Sequence, residues 1–224
     1  FQIGWRDKVG NFSYNISANA SWYKNEVVRL GASDLYTSTR ISNMQMTTEG
    51  QPIGMFYGYT TDGIYTSVDD VLNYGKVPYG VSDAVNPKTG NLIWHEDAIN
   101  QVGHFRFKDM NGDGKITAAD RSIIGNPHPD VTGGVNLGFG YKNWDLSTYL
   151  YYTIGNDLYA HYELYTNWGQ LANVFTYERV ENGWHPEKNP NGTLPMFVRG
   201  DTHAETNVSH TGYIQDGSYL RMQT

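Results

Sequence analysis

Asp109, Asn111, Asp113 and Asp120 occupy positions 1, 3, 5 and 12 of the run Asp-Met-Asn-Gly-Asp-Gly-Lys-Ile-Thr-Ala-Ala-Asp, the spacing at which a calcium loop sets its oxygen ligands. Gly114 falls at position 6, where such a loop turns sharply, and Lys115 at position 7 offers its backbone carbonyl. Ile116 takes the apolar position 8 and Thr117 position 9. The expected occupant is a structural Ca2+ held by Asp109, Asn111, Asp113, Lys115 and Asp120. Asp120 stands where Glu is usual, so the loop must close more tightly or bind more weakly. The helices that flank such a loop in an EF-hand are not evident, and Gly112-Asp113-Gly114 is also ordinary turn chemistry. Metal loop and plain turn both stand at this level.

Other chemistry is thin. The seven histidines are scattered, with no HExxH or paired-His spacing, so they read as solvated or packed rather than as ligands. The adjacent acids Asp69-Asp70 and Glu96-Asp97 read as solvated loop, not as a glycosidase pair. No G-x-S-x-G, Walker A or G-x-G-x-x-G motif occurs, so no catalytic residue and no organic cofactor is expected. There is no cysteine, which excludes disulfides and Cys-based zinc sites. A formal net charge of −7 argues against nucleic acid as a partner. Trp94, Trp168, Trp184, Tyr74, Tyr79 and Tyr165 lie in long connections, where aromatic rings either stack on ligands or pack the loops together.

The elements around the loop are strands. Val131, Gly133, Val135, Leu137, Phe139 and Tyr141 alternate with Thr132, Gly134, Asn136, Gly138 and Gly140. Trp144, Leu146, Leu150 and Tyr152 alternate with Asp145, Ser147, Tyr149 and Tyr151, with Thr148 the one polar break. Side chains alternate faces along a strand, so each strand has one apolar face. A two-residue turn at Lys142-Asn143 sets Tyr141 opposite Trp144, Phe139 opposite Leu146 and Val135 opposite Leu150, all on one face. Tyr152 is then expected to cover Gly133. Between Asn11 and Trp22 the alternation is unbroken, Phe12, Tyr14, Ile16, Ala18, Ala20 and Trp22 against Asn and Ser. Phe1, Ile3 and Trp5 end a preceding strand that turns through Arg6 to Gly10.

Such strands suit a half-buried soluble sheet or a transmembrane barrel. Arms of about ten residues with aromatic ends and very polar opposite faces are what a tilted membrane strand requires. No run of about eighteen apolar residues is present, so no transmembrane helix is expected. Strands are predicted at 1–6, 11–23, 44–48, 52–59, 131–141, 144–153 and 217–223. Long polar connections fill 66–128 and 155–212, against tight turns elsewhere, the asymmetry of outer-membrane barrels. The chain opens inside a strand without a signal peptide and stops as another begins, and so reads as part of a longer protein.

The ordered set Gly50-Gln-Pro-Ile-Gly-Met-Phe-Tyr-Gly-Tyr, Asp62-Gly-Ile-Tyr, Phe107-Lys-Asp-Met-Asn-Gly-Asp-Gly-Lys-Ile, Asp120-Arg-Ser-Ile-Ile-Gly-Asn-Pro-His-Pro-Asp, Tyr141-Lys-Asn-Trp-Asp-Leu, Gly155-Asn-Asp and Asp216-Gly-Ser-Tyr-Leu-Arg resembles the SusC/RagA family of TonB-dependent outer-membrane receptors. Gly4-Trp-Arg-Asp-Lys-Val-Gly and Asn25-Glu-Val-Val-Arg-Leu-Gly resemble the same barrel. The resemblance implies an all-β fold, an antiparallel transmembrane β-barrel segment with long extracellular loops, from a barrel of roughly 22 strands. Residues 1–224 are expected to lie in the C-terminal half of that barrel domain, without plug, signal peptide or final strands.

The function implied is TonB-energised import of a large nutrient, an oligosaccharide first and a peptide second, across the bacterial outer membrane. The implied partners are a SusD-like surface lipoprotein, TonB through the absent N-terminal part, and outer-membrane lipid. A soluble calcium-containing carbohydrate-binding β-module is the alternative. A glycan-degrading enzyme would need a convergent acid pair that the sequence does not offer.

Overall fold

In a computed structural model of the chain, the described residues are 1–31, 33–39, 42–81, 95–166, 176–197 and 208–223. The strands are β1 (Gln2–Val9), β2 (Phe12–Ser21), β3 (Leu35–Thr39), β4 (Ser42–Thr47), β5 (Met55–Gly58), β6 (Thr61–Ile64), β7 (Phe105–Phe107), β8 (Ser122–Gly125), β9 (Val131–Tyr141), β10 (Trp144–Ile154), β11 (Asp157–Tyr159), β12 (Ile214–Asp216) and β13 (Tyr219–Gln223). Short helices α1 (Val68–Asn73), α2 (His95–Gln101), α3 (Glu163–Thr166) and α4 (Tyr177–Asn182) lie in the long connections. No helix among the described residues is long and apolar enough to cross a membrane.

The alternating strands form one five-stranded antiparallel sheet in the order β1-β2-β9-β10-β13. Its register carries the sequence periodicity across every strand. One row runs Ile3, Ala18, Val135, Leu150, Met222, and the next but one along the strands runs Trp5, Ile16, Leu137, Thr148. Between them, on the other face, lies Gly4, Ser17, Asn136, Tyr149, Gln223. The sheet therefore has one apolar and one polar face, and Tyr141–Trp144, Phe139–Leu146 and Val135–Leu150 pair as expected.

Both tight turns lie at one rim, where Phe12 pairs with Tyr141 and Lys142 N donates to Asn11 O at 3.3 Å. The strand that was expected to turn from Arg6 continues to Val9 and pairs with Phe12. Gly10, at φ 61°, supplies the left-handed residue that lets Gly10-Asn11 close the turn alone. The other rim feeds the long connections.

Those connections are not featureless. Six further strands, β3, β6, β7, β8, β11 and β12, have no counterpart in the sequence expectation. They are three to five residues long, too short to display alternation. β3-β4-β5-β8 make a second sheet, and β6-β7 and β11-β12 two ribbons. The buried core lies among them. Tyr59, directly after β5, and Phe107 and Ile116 from the first connection pack with Val208 from the second. Tyr59 N donates to Ser209 O and Thr211 N to Tyr59 O, both at 2.9 Å. Each such buried side chain contributes on the order of 1.5–3 kcal/mol, so the two connections stabilise one another as one body.

Candidate functional site

Two features could act on a ligand: the polar face of the large sheet and the acidic loop. The polar face carries Arg6 and Lys8 on β1, Ser13, Asn15, Ser17 and Asn19 on β2, Asn136 on β9, and Asp145 and Ser147 on β10. Glycines make it smooth. A Cβ at Gly138 would meet Asn15 Oδ1 at 2.8 Å, and one at Gly140 would meet Ser13 Oγ at 2.6 Å and Asp145 Oδ1 at 2.9 Å. The neighbouring polar side chains lie down over the bare backbone, and a groove of 330 Å³ opens beside them between Arg6 and Ser147.

Gly133 and Gly134 serve a second purpose. Tyr152 crosses Gly133 on the apolar face, as expected, and its hydroxyl donates to Asn19 O at 3.1 Å. Tyr149 covers Gly134 on the polar face. This second cover was not anticipated. Its signal is only the diagonal placing of Tyr149, whose direct partner is Asn136.

The acidic loop brings all five expected residues into one turn. Asp109 Oδ1 accepts from Gly112 N at 2.7 Å, and Oδ2 from Gly114 N at 3.1 Å. Asn111 Oδ1 accepts from Asp113 N at 3.0 Å, while Asp113 accepts from Lys115 N at 2.8 Å and from Asn111 Nδ2 at 3.0 Å. Asp120 is buried. Its Oδ1 accepts from Met110 N at 2.9 Å and Asn111 N at 3.4 Å, its Oδ2 from Thr117 N at 2.7 Å. With Thr117 Oγ1 accepting from Ala119 N, it forms the capping box of a 3-10 turn at Ala118–Asp120.

A cation reaches this loop from outside it. Lys76 Nζ lies 2.5 Å from Asp109 Oδ2, whose side chain is fully covered. The Lys76 contact, then the Gly114 and Gly112 amides, hold the Asp109 carboxyl down at about 2, and the same contact raises Lys76 above its ordinary value. Among the described residues no three His, Cys, Asp or Glu side chains gather where they could hold a metal ion. As folded, Asp109 carries the Lys76 ammonium, Asp120 faces three backbone amides and Asn111 Oδ1 faces Asp113 N. Lys76 lies far from the loop in sequence, and no local pattern marks it.

The loop aromatics pack. Tyr79 sits edge-on to Tyr59 at 5.4 Å, Tyr74 Oη donates to Phe107 O at 2.8 Å, Tyr165 joins the Leu164–Tyr213 cluster, and Trp184 is buried. Trp94 and Trp168 lie outside the described residues.

No family model matches the chain. Among curated proteins it is 31% identical over 219 residues to TonB-dependent receptor P3 of Formosa agariphila, covering 95% of this chain and 19% of that protein. It is 22% identical over 215 residues to TonB-dependent receptor SusC of Bacteroides thetaiotaomicron, covering 94% of this chain and 18% of that protein. A solved structure of the RagAB peptide importer in its closed-closed state superposes with a TM-score of 0.64 at 18% identity, over 99% of this chain and 21% of that chain. The chain belongs to the SusC/RagA-type TonB-dependent receptors. It spans about a fifth of the length of the curated relatives it matches. The SusC/RagA-type fold accounts for an all-β antiparallel segment with a polar and an apolar sheet face. These relatives are receptors and an importer rather than enzymes.

Proposed function

We propose that residues 1–224 form part of the barrel wall and extracellular loops of an outer-membrane importer of a large nutrient. The observation that carries this is the exposed apolar face of the five-stranded sheet. Trp5, Val9, Leu146, Leu220 and Met222 are each more than 60% exposed, and none of the buried hydrophobic residues belongs to that sheet. A continuous apolar face of this size needs lipid or a partner. Eleven-residue strands such as β9 and β10 span about 36 Å along their length, and at a tilt near 45° they cover the ~25 Å apolar band of a barrel. The turn rim carries Phe12, Tyr14, Tyr141 and Trp144, as an interfacial girdle would.

The polar face then lines the lumen, and β1 and β13 pair onward with further strands of a closed barrel of roughly 22. The welded connections stand outside the cell, where they meet cargo and a SusD-like lipoprotein, and TonB drives the plug elsewhere in the receptor. The cargo is an oligosaccharide or, as the named RagAB importer suggests, a peptide.

Two measurements on the full-length receptor test this. Single cysteines at Asn15 and Ser147 should react with a membrane-impermeant thiol reagent, while those at Ile16 and Leu146 should not; equal labelling of the two faces sinks the barrel reading. Deleting 66–128 or 155–212 should abolish growth on the nutrient while the barrel still reaches the outer membrane. Either deletion suffices because the two connections share a core. Growth on glycan against growth on peptide separates the cargo classes, and transport surviving both deletions refutes the proposal.

A further inference from the structure

We infer that the ammonium of Lys76 is the resident cation of the Asp109–Asp120 loop, closing it from a neighbouring segment in the place its spacing reserves for calcium. The backbone delivers it there. Val77 N donates to Gly114 O and Ile116 N to Val77 O, both at 2.9 Å, a parallel bridge that holds residue 76 beside the loop. From that anchor Nζ reaches Asp109 Oδ2 at 2.5 Å. A divalent ion bound to the same carboxylate would lie against the ammonium, and like charges at that range repel strongly when partly screened from water. Lysine and metal therefore compete for Asp109.

The other acids are committed within the loop. Asp120 accepts three backbone amides and Asp113 accepts Lys115 N and Asn111 Nδ2. Each neutral N–H donor here compensates a carboxylate that a metal would otherwise have to satisfy. A tethered ammonium has a further consequence. It cannot be diluted or chelated away, so the closure does not depend on free-ion concentration as a bound metal's would. The latch joins the segment around Tyr74–Val77 to the loop bearing Ile116, which is buried beside Phe107, and so holds these segments together whatever the free calcium concentration.

Limited proteolysis of the purified full-length receptor in detergent, followed at 107–125 in calcium and in EDTA, tests the latch. Wild type should be cleaved at the same rate in both. Lys76→Met should be cleaved in EDTA about tenfold faster or more, the effect of losing one charge-assisted hydrogen bond on a local opening equilibrium, while Lys76→Arg stays close to wild type. Should Lys76→Met fail to assemble, Lys76→Gln in EDTA carries the same test, because Asp109 keeps its Gly112 and Gly114 amides there: the lysine latch predicts faster cleavage than wild type and a metal site predicts no change. Wild-type protection that is lost in EDTA, or Lys76→Gln indistinguishable from wild type in EDTA, overturns the inference.

Discussion

Replacing Gly133 by Ala probes the sheet at its tightest point. The new Cβ would fall on the Asn19 carbonyl oxygen of β2 and within 2.5 Å of Tyr152 Oη. The first obstacle is backbone, so β2 must separate from β9. The second breaks the Tyr152–Asn19 hydrogen bond. Overpacking of this kind costs about 1–3 kcal/mol and a lost neutral hydrogen bond about 0.5–1.5, which together predict a loss of about 2–4 kcal/mol. The nearest obstacles to Gly134→Ala all belong to the Tyr149 side chain, which can swing toward the open polar face, so its cost should be about 1 kcal/mol or less. Gly4→Ala is the control, since its Cβ would sit at an ordinary 3.4 Å from Ser17 Cβ. It should be neutral, or stabilising by about 0.5 kcal/mol through the loss of glycine entropy. Urea titration of the full-length receptor refolded into lipid vesicles, read by heat-modifiable gel mobility, gives the order Gly4→Ala, Gly134→Ala, Gly133→Ala from most to least stable. Gly133→Ala matching Gly4→Ala would refute the reasoning.

Lys142 holds φ 53° in the β9–β10 turn, a left-handed conformation that costs a side-chain-bearing residue about 1 kcal/mol; Lys142→Gly should recover much of that in the same titration. Asp109 is held at about 2 against 3.8 for the free group, so its contribution is complete above the free value and lost as pH falls through the folded one. Pepsin cleavage within 107–120 should accordingly rise between about pH 4 and pH 2. Arg106 donates to Asp70 at 3.2 Å and lies 5.2 Å over the Tyr74 ring. Arg106→Met should loosen α1 and the β6–β7 ribbon by about 1–2 kcal/mol, read as faster amide exchange at Val71 and Tyr74.

The large sheet was legible in the sequence because its information is local. A period of two assigns every side chain of β2, β9 and β10 to a face, and a two-residue turn leaves one register in which the apolar faces agree. Even the cover of Gly133 by Tyr152 follows from that register. The acidic loop was legible as a turn rich in carboxylates, and spacing alone could not choose its cation. That choice rests on Lys76, placed by a bridge between Val77 and Lys115 that no local pattern encodes. The same holds for the body at the other rim. Gly58 pairs with Ser122, Thr61 with Phe107 and Asp157 with Asp216, strands too short to show a period and partners far apart along the chain. Sequence by itself determined which residues share a face and which loop collects charge. Tertiary structure decided which distant segments meet, because closing long loops costs chain entropy that only packing such as Tyr59 with Phe107, Ile116 and Val208 offsets.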